Sequence, residues 1–270
     1  MAAIRDITFG QYIHRDSSIH RLDPRTKILA GMILMITIFV IHQFIVLLCF
    51  TALIAGVFYA ARVSPLLALR NLRAFWVLFL FTLVLHGFFT EGEILLRIPL
   101  TRWTLSEQGV VQGFFYTYRI AVFIGISGLI TLTTSPMALT DGVSRFLSPF
   151  VRFGLPAQAI AMMMSIALRF IPILVEEADR IRKAQISRGA RFEGSPVRRL
   201  RQLIPVVIPL FLSAFRRAND LAMAMESRCY SGDESRTSYT VLRFGRNDFL
   251  AMITVVSGSG MVVLLNTWLQ

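Results

Sequence analysis

Apolar runs of 14 to 24 residues, separated by short polar or charged segments, organise most of the chain. At 1.5 Å per residue, each run would form a helix of roughly 21–36 Å, comparable with the hydrocarbon thickness of a bilayer. The runs are residues 28–41, 44–61, 74–89, 110–133 and 249–268. This pattern predicts five membrane-crossing helices.

His42 and Gln43 interrupt the first long apolar stretch. As a single helix, residues 28–61 would measure about 50 Å, which is too long for a hydrocarbon core of about 30 Å. We therefore expect two shorter helices joined by a tight outer turn. Lys27 precedes the first of them, and we expect its ammonium group to extend to the inner interface.

Composition and charge support a membrane protein with a defined orientation. The mean hydropathy is +0.62, and only 16% of the residues are charged, against about 25% in soluble domains. The formal net charge is +12. A cytoplasmic N-terminus places 25 of the 28 Lys and Arg residues on the inner side, in residues 1–27, 62–73 and 134–248. Positive charge collects on the cytoplasmic side of membrane proteins, so this orientation is predicted.

Residues 134–248 combine high charge with apolar residues at helical spacing, which predicts helices rather than a disordered loop. A short amphipathic helix is predicted over 139–152. One long helix is predicted to open at Pro156 and end at Gly189, and a second to run from Ser195-Pro196 to about Arg228.

The predicted fold class is an all-α integral membrane protein with about five transmembrane helices, plus two long and one short cytoplasmic amphipathic coupling helices. The predicted divisions are an N-terminal tail with four transmembrane helices (1–133), a cytoplasmic coupling-helix region (134–248) and a C-terminal transmembrane helix (249–270).

The two long helices end alike, with Ser187-Arg188-Gly189 in the first and Ser227-Arg228-Cys229 in the second. An arginine in a last turn is favoured by the negative end of the helix dipole. A small neighbour lets the helix end enter a groove, where the guanidinium can bind a carboxylate at two points. The alternative is that each arginine interacts only with its own helix carbonyls.

Three consecutive methionines lie near the start of the first long helix: Met162, Met163 and Met164. Flexible thioether side chains suit a surface that accepts different partners. The alternative is that they fill the core between helices.

Several segments carry a family likeness. They are Phe9-Gly10-Gln11-Tyr12, the stretch SIHRLDPRTK at 18–27, Leu155-Pro156, Arg169-Phe170-Ile171-Pro172 and the Ser-Arg-Gly helix ending. With them the chain resembles, over nearly its whole length, the transmembrane T component of energy-coupling factor (ECF) transporters.

This resemblance implies a scaffold that binds no cofactor and catalyses nothing. Two cytoplasmic ABC-type ATPases, which bind ATP and Mg²⁺, would hold the ends of the coupling helices through Ala-Arg-Gly-like motifs. A small membrane S component would capture a vitamin or metal ion and dock on the T component in the plasma membrane of a prokaryote.

The resemblance also assigns residues. The ATPase-coupling motifs would be the two Ser-Arg endings. Cys229 stands where the family pattern has Gly, so we expect the second helix to end later or to bind its ATPase differently. The candidates for facing the S component are Met162, Met163, Met164, Phe170, Leu174, Phe211, Ala214 and Leu221.

Other functions find less support in the residues. An ion-coupled carrier needs ionisable groups at mid-membrane, and only Arg119, His86 and His42 are candidates. Ser257-Gly258-Ser259-Gly260 in the last run resembles a serine-protease motif, but small residues for close helix packing explain it better. The chain lacks a GxxxxGK[ST] phosphate loop, so ATP must be bound by a partner.

Two further questions concern partners and cargo. A nucleic-acid role for the arginines at 198, 199 and 201 is disfavoured, because lipid headgroups or an ATPase surface explain the cluster. The N-terminal pattern favours a T component shared by several vitamin S components, and the alternative is one dedicated to cobalt or nickel. No metal-ligating group is predicted in this chain.

Overall fold

The computed structural model describes residues 15–63, 72–97, 104–147, 156–190, 196–230 and 244–269. Within these ranges the chain is mostly helical, which confirms the all-α class. The helices are α1 (Pro24–Val40), α2 (Phe44–Ala60), α3 (Trp76–Phe89), α4 (Glu107–Thr133), α5 (Pro136–Leu147), α6 (Ala157–Ser187), α7 (Pro196–Glu226) and α8 (Arg246–Trp268).

Two shorter elements flank α3. A 3-10 turn at Arg73–Phe75 leads into the helix. After α3, strands β1 (Ile94–Arg97) and β2 (Thr104–Ser106) form an antiparallel ribbon. This ribbon was not expected from the sequence, because the mixed polar segment around it shows no clear alternation.

The chain divides into two compact units. The first contains residues 10–142 and 242–270, and therefore holds α1–α4, the ribbon and α8. We call it the membrane unit. The second contains residues 143–241 with 1–9, and therefore holds α6 and α7. We call it the two-helix unit. Helix α5 crosses the boundary in sequence.

The helix limits confirm most of the predicted elements. Residues 41–43 separate α1 from α2, as the turn at His42 and Gln43 required. Helix α6 follows Pro156, and α7 begins at Pro196. The short helix was predicted over 139–152, whereas α5 ends at Leu147 and residues 148–155 lie outside the described ranges.

In the described part of the chain, three helical stretches are long and apolar enough to cross a bilayer by length and composition: α4, α8 and Ala159–Ser187 of α6. Phe44–Ala60 and Arg73–Phe89 are shorter apolar helices. The amphipathic pattern of α6 had placed it in the cytoplasm. Its charge is uneven, however, because only Arg169 is charged before residue 176 and charged residues crowd the part that follows.

The core of the membrane unit lies between α1, α2 and α4. Ile38, Leu47, Phe50 and Ile126 are completely buried there. Val262 of α8 joins the same apolar cluster. Many large apolar side chains on the outside of the unit are exposed, which is the arrangement that a lipid-surrounded bundle requires.

Two glycines let α4 approach α3 closely. A Cβ atom at Gly109 would lie 2.4 Å from the carbonyl oxygen of His86, and one at Gly113 would lie 3.2 Å from that of Leu83. A larger residue at Gly109 would therefore force the helix backbones apart. Small residues at close helix crossings are typical of membrane proteins.

The turn between α1 and α2 is closed by side chains from two other helices. Asn266 of α8 donates from Nδ2 to the Val40 carbonyl (3.2 Å), and its Oδ1 accepts from the His42 amide (2.9 Å). Arg119 of α4 donates to the Ile41 carbonyl. The turn interrupts helical hydrogen bonding, so these side chains satisfy backbone groups that have lost their partners within the helices.

The opposite end of the membrane unit is held by a polar cluster that we call the Lys27 cluster (His20, Asp23, Lys27, Thr133 and Asp248). Lys27 Nζ donates to the carbonyls of His20 (2.9 Å) and Thr133 (3.0 Å). Asp248 accepts from the Asp23 amide (2.7 Å). Lys27, predicted to extend to the interface, is instead buried. The cluster joins the start of α1, the end of α4 and the start of α8.

We expect Asp248→Ala to lower the thermal unfolding midpoint of the purified protein clearly. Asp248 also accepts from the Gly245 amide (2.8 Å), so the change leaves two backbone amides without an acceptor, at about 1–3 kcal/mol each. Asp248→Asn keeps one acceptor oxygen and should lower the unfolding midpoint less. Exposed Asp220 supplies the control, Asp220→Ala; equal midpoints for the two alanine variants would refute a structural role for Asp248.

Candidate functional site

The end of α6 is fixed by two backbone hydrogen bonds from the residues that follow the helix to carbonyls of its last turn. The Gly189 amide donates to the Ile186 carbonyl (2.9 Å), and the Ala190 amide donates to that of Gln185 (3.0 Å). Gly189 has a φ of +89°, in the left-handed region that suits glycine. This is the Schellman arrangement, which places Arg188 at the C-cap position, directly after the last helical residue.

The end of α7 has the same arrangement, although cysteine replaces glycine. The Cys229 amide donates to the Glu226 carbonyl (2.9 Å), and the Tyr230 amide donates to that of Met225 (3.0 Å). Cys229 adopts a φ of +57°. The expectation that the cysteine makes this helix end later is therefore wrong, because its backbone takes the left-handed conformation that the glycine takes in α6.

Both Ser-Arg endings are accessible. All six residues at positions 187–189 and 227–229 are exposed. Each serine hydroxyl donates to a carbonyl of its own helix: Ser187 to Lys183 (3.2 Å) and Ser227 to Ala224 (3.0 Å). Within the described part of the chain, neither Arg188 nor Arg228 has an ion-pair partner. Both guanidinium groups can bind an external carboxylate.

Helices α6 and α7 cross with opposite chain directions. Glu177 of α6 forms an ion pair with Arg217 of α7 (3.5 Å), while residue 185 of α6 contacts residue 205 of α7. Arg188 lies eleven positions after Glu177, and Arg228 lies eleven positions after Arg217. Each arginine is therefore about 16 Å beyond the ion pair along its own helix, and the two endings diverge from the crossing.

A side chain that the sequence analysis did not single out also links the two helices. Pro209 has no amide hydrogen, so the Pro205 carbonyl loses its partner within α7. Gln185 Nε2 of α6 donates to that carbonyl (3.4 Å). The signal in the sequence was the proline, since a carbonyl four residues before a helical proline needs another donor.

The structure places the candidates for facing a membrane partner as follows. Met163 and Phe211 are exposed, each with 59% of its surface accessible. Met162, Met164, Phe170, Leu174, Ala214 and Leu221 are half-buried. Phe211 stacks with Phe215 (4.6 Å between ring centres) on an exposed apolar face of α7. This face comprises Leu203, Ile204, Val207, Ile208, Phe211, Leu212 and Phe215.

The residues considered for other functions have structural roles. Arg119 is buried against the rings of Phe115 (4.6 Å) and Tyr116 (5.2 Å) and holds the α1–α2 turn. The His86 ring stacks with that of Tyr116 (4.6 Å). In the Ser-Gly-Ser-Gly segment, a Cβ at Gly258 would lie 2.8 Å from Leu53, which fits close packing of α8 on α2.

Comparison with known proteins gives the class of this molecule. Residues 15–239 match the family described as CbiQ, cobalt transport protein. With its apolar bundle, the chain is thus a multi-pass membrane protein of the transporter class.

Curated relatives define the family more closely. The chain is 45% identical over 266 residues to the energy-coupling factor transporter transmembrane protein EcfT of Thermanaerovibrio acidaminovorans, with 98% of each chain covered. It is 48% identical over 252 residues to EcfT of Thermosediminibacter oceani, covering 93% of this chain and 94% of that protein. EcfT of Brevibacillus brevis is 44% identical over 270 residues, covering 98% and 99%. The chain belongs to the CbiQ/EcfT family of transporter transmembrane components.

We expect Cys229→Gly to stabilise the protein by about 1 kcal/mol, because glycine removes the cost that a side chain has in the left-handed region. The measurements are the thermal unfolding midpoint and amide hydrogen exchange at residues 229 and 230. Cys229→Ser removes the thiol but keeps the backbone cost, so it should match the wild type. A gain with Ser equal to that with Gly would assign the effect to the thiol instead.

Proposed function

We propose that this chain is the coupling scaffold of an ECF-type importer and that its two arginine endings each hold a separate ABC-type ATPase. One observation carries the proposal: α6 and α7 end in the same backbone geometry, each with an exposed arginine at the same position that forms no ion pair with another described residue. Equivalent endings suit two equivalent binding sites.

The separation of the endings favours two ATPases over one. Arg188 and Arg228 lie about 16 Å beyond the Glu177–Arg217 ion pair, in opposite directions along the helix pair. A single groove cannot enclose both helix ends. Two copies of one ATPase, or two related ATPase subunits, would each bind one helix ending. ATP and Mg²⁺ would be bound by those ATPases.

Electrostatics indicates the chemistry of the contact. A guanidinium in the last turn is stabilised by the helix dipole and can bind a carboxylate through two parallel hydrogen bonds. An acidic groove on the ATPase is the complementary surface. Movement of that groove during ATP hydrolysis would then move the helix it holds.

The exposed apolar face of α7 supports a second partner, the S component. Seven large apolar side chains from Leu203 to Phe215 are exposed on a helix that also carries an ATPase ending. Such a face suits a small apolar membrane protein that carries the cargo, and Met163 on α6 offers a similar contact. We infer vitamins as the cargo, as in the shared type of T component.

The charge distribution supports an N-terminus in the cytoplasm of a prokaryotic cell, where the ATPases would have access to the endings of α6 and α7. The same orientation places the Lys27 cluster at the inner leaflet.

We expect Arg188→Ala and Arg228→Ala each to release one ATPase from the complex purified through this chain. Removing one partner of a desolvated charge pair costs about 2–5 kcal/mol. The ATPase content is measured as subunit stoichiometry, and the double variant should retain none and should transport nothing.

Arg180→Ala and Arg216→Ala are matched controls, because both arginines are exposed on the same helices away from the endings. They should keep the wild-type stoichiometry. Full assembly and transport by the double variant Arg188→Ala/Arg228→Ala would exclude the proposed contact.

We expect Phe211→Ala to weaken retention of the S component while leaving ATPase stoichiometry unchanged, because burial of a large aromatic side chain contributes about 1.5–3 kcal/mol. Met223→Ala is the control, since Met223 is equally exposed on α7 but lies outside the apolar face. Co-purification of all subunits measures both effects. Equal retention by the two variants would place the S component elsewhere.

A further inference from the structure

We propose that the membrane unit binds an anionic phospholipid in a cavity of about 1100 Å³ between α2, α4 and the segment preceding α1. Its mouth carries Arg15, Arg21 and Arg62, and its wall includes Ile54, Phe58 and Val122. A phosphate headgroup would lie at the arginines and an acyl chain along the apolar wall. This site is separate from the helix endings and from the apolar face of α7.

The charge at the mouth is unbalanced. Among the described residues that line the cavity, Asp16 is the acidic one, and it pairs with Arg21 at 3.5 Å. The guanidinium of Arg15 donates to the Arg62 carbonyl (2.6 Å), and that of Arg62 donates to the Asp16 carbonyl (3.5 Å). Each guanidinium has five N–H donors, so these bonds orient the three groups and leave donors for a phosphate.

The backbone at Arg62 is specialised. Arg62 follows α2 with a φ of +55°, and the amides of Arg62 and Val63 donate to Tyr59 (3.0 Å) and Phe58 (3.2 Å). This is the same helix ending as in α6, where glycine takes the left-handed position. The backbone conformation here favours glycine. Arg62 takes this conformation at a cost, and its side chain lies at the cavity mouth.

The combination of an arginine mouth and an apolar wall identifies the ligand as a lipid rather than a soluble anion. A free phosphate would need only the arginines and would leave the wall of a large cavity uncovered. The cavity belongs to a membrane-spanning unit, and basic pockets between membrane helices attract anionic headgroups. A phospholipid of the surrounding leaflet matches both surfaces at once.

The test measures lipid binding to the full-length chain by native mass spectrometry, with phosphatidylglycerol and phosphatidylcholine of identical acyl chains. We expect phosphatidylglycerol to bind more tightly. Arg62→Gly keeps the backbone conformation and should weaken phosphatidylglycerol binding about fivefold, the usual effect of one arginine at a membrane surface. Exposed Arg73 does not line the cavity, so Arg73→Ala should leave the affinity unchanged.

A second pair of variants tests the wall. A Cβ at Gly125, which lines the cavity, would meet no atom within 4 Å, so Gly125→Leu is expected to extend into the cavity. This variant should weaken the binding of both lipids. Gly56 is equally open but lies outside the lining, which makes Gly56→Leu the matched control.

Three results would overturn the proposal: equal binding of the two lipids, an effect of Arg62→Gly no larger than that of Arg73→Ala, or an effect of Gly125→Leu no larger than that of Gly56→Leu. Inorganic phosphate could instead displace phosphatidylglycerol while Gly125→Leu has no effect on binding. That result would identify a soluble anion as the ligand.

Discussion

The fold depends on supplying hydrogen-bond partners to backbone groups at the helix ends of the membrane unit. A bilayer offers no water for this purpose, and each unsatisfied group costs several kcal/mol. Helices α1 and α2 have only 17 residues each, so their ends lie close to the apolar core. Arg119 and Asn266 satisfy the α1–α2 turn, and Lys27 and Asp248 do the same at the other end.

This requirement explains which features could be predicted from the sequence. Apolar runs and prolines locate helices because both act within a few neighbouring residues, and they placed α6, α7 and the turn at His42. The partner of a buried polar group lies far away in the chain. Arg119 was therefore a candidate transport residue by sequence, whereas in the structure its guanidinium donates to the Ile41 carbonyl.

The helix endings show the same limit for the candidate site. The Ser-Arg pattern located both endings, and Gly189 marked the end of the first long helix. Cys229 has no comparable preference, so the sequence indicated a different ending there. The hydrogen bonds to Glu226 and Met225 hold it in the same geometry. Local bonds at a helix end can thus override the preference of one residue, at a cost of about 1–2 kcal/mol.

The contrast between the endings and the crossing of α6 and α7 bears on energy transmission. The endings are held by paired backbone hydrogen bonds. At the crossing, the Glu177–Arg217 pair is partly exposed and contributes at most about 1 kcal/mol, and Gln185 reaches the Pro205 carbonyl at 3.4 Å. These two polar contacts therefore add little to the crossing, which leaves the helix ends as the better fixed points. If the proposed ATPase contact exists, a displacement of Arg228 would reach the apolar face of α7 directly, because both lie on the same helix.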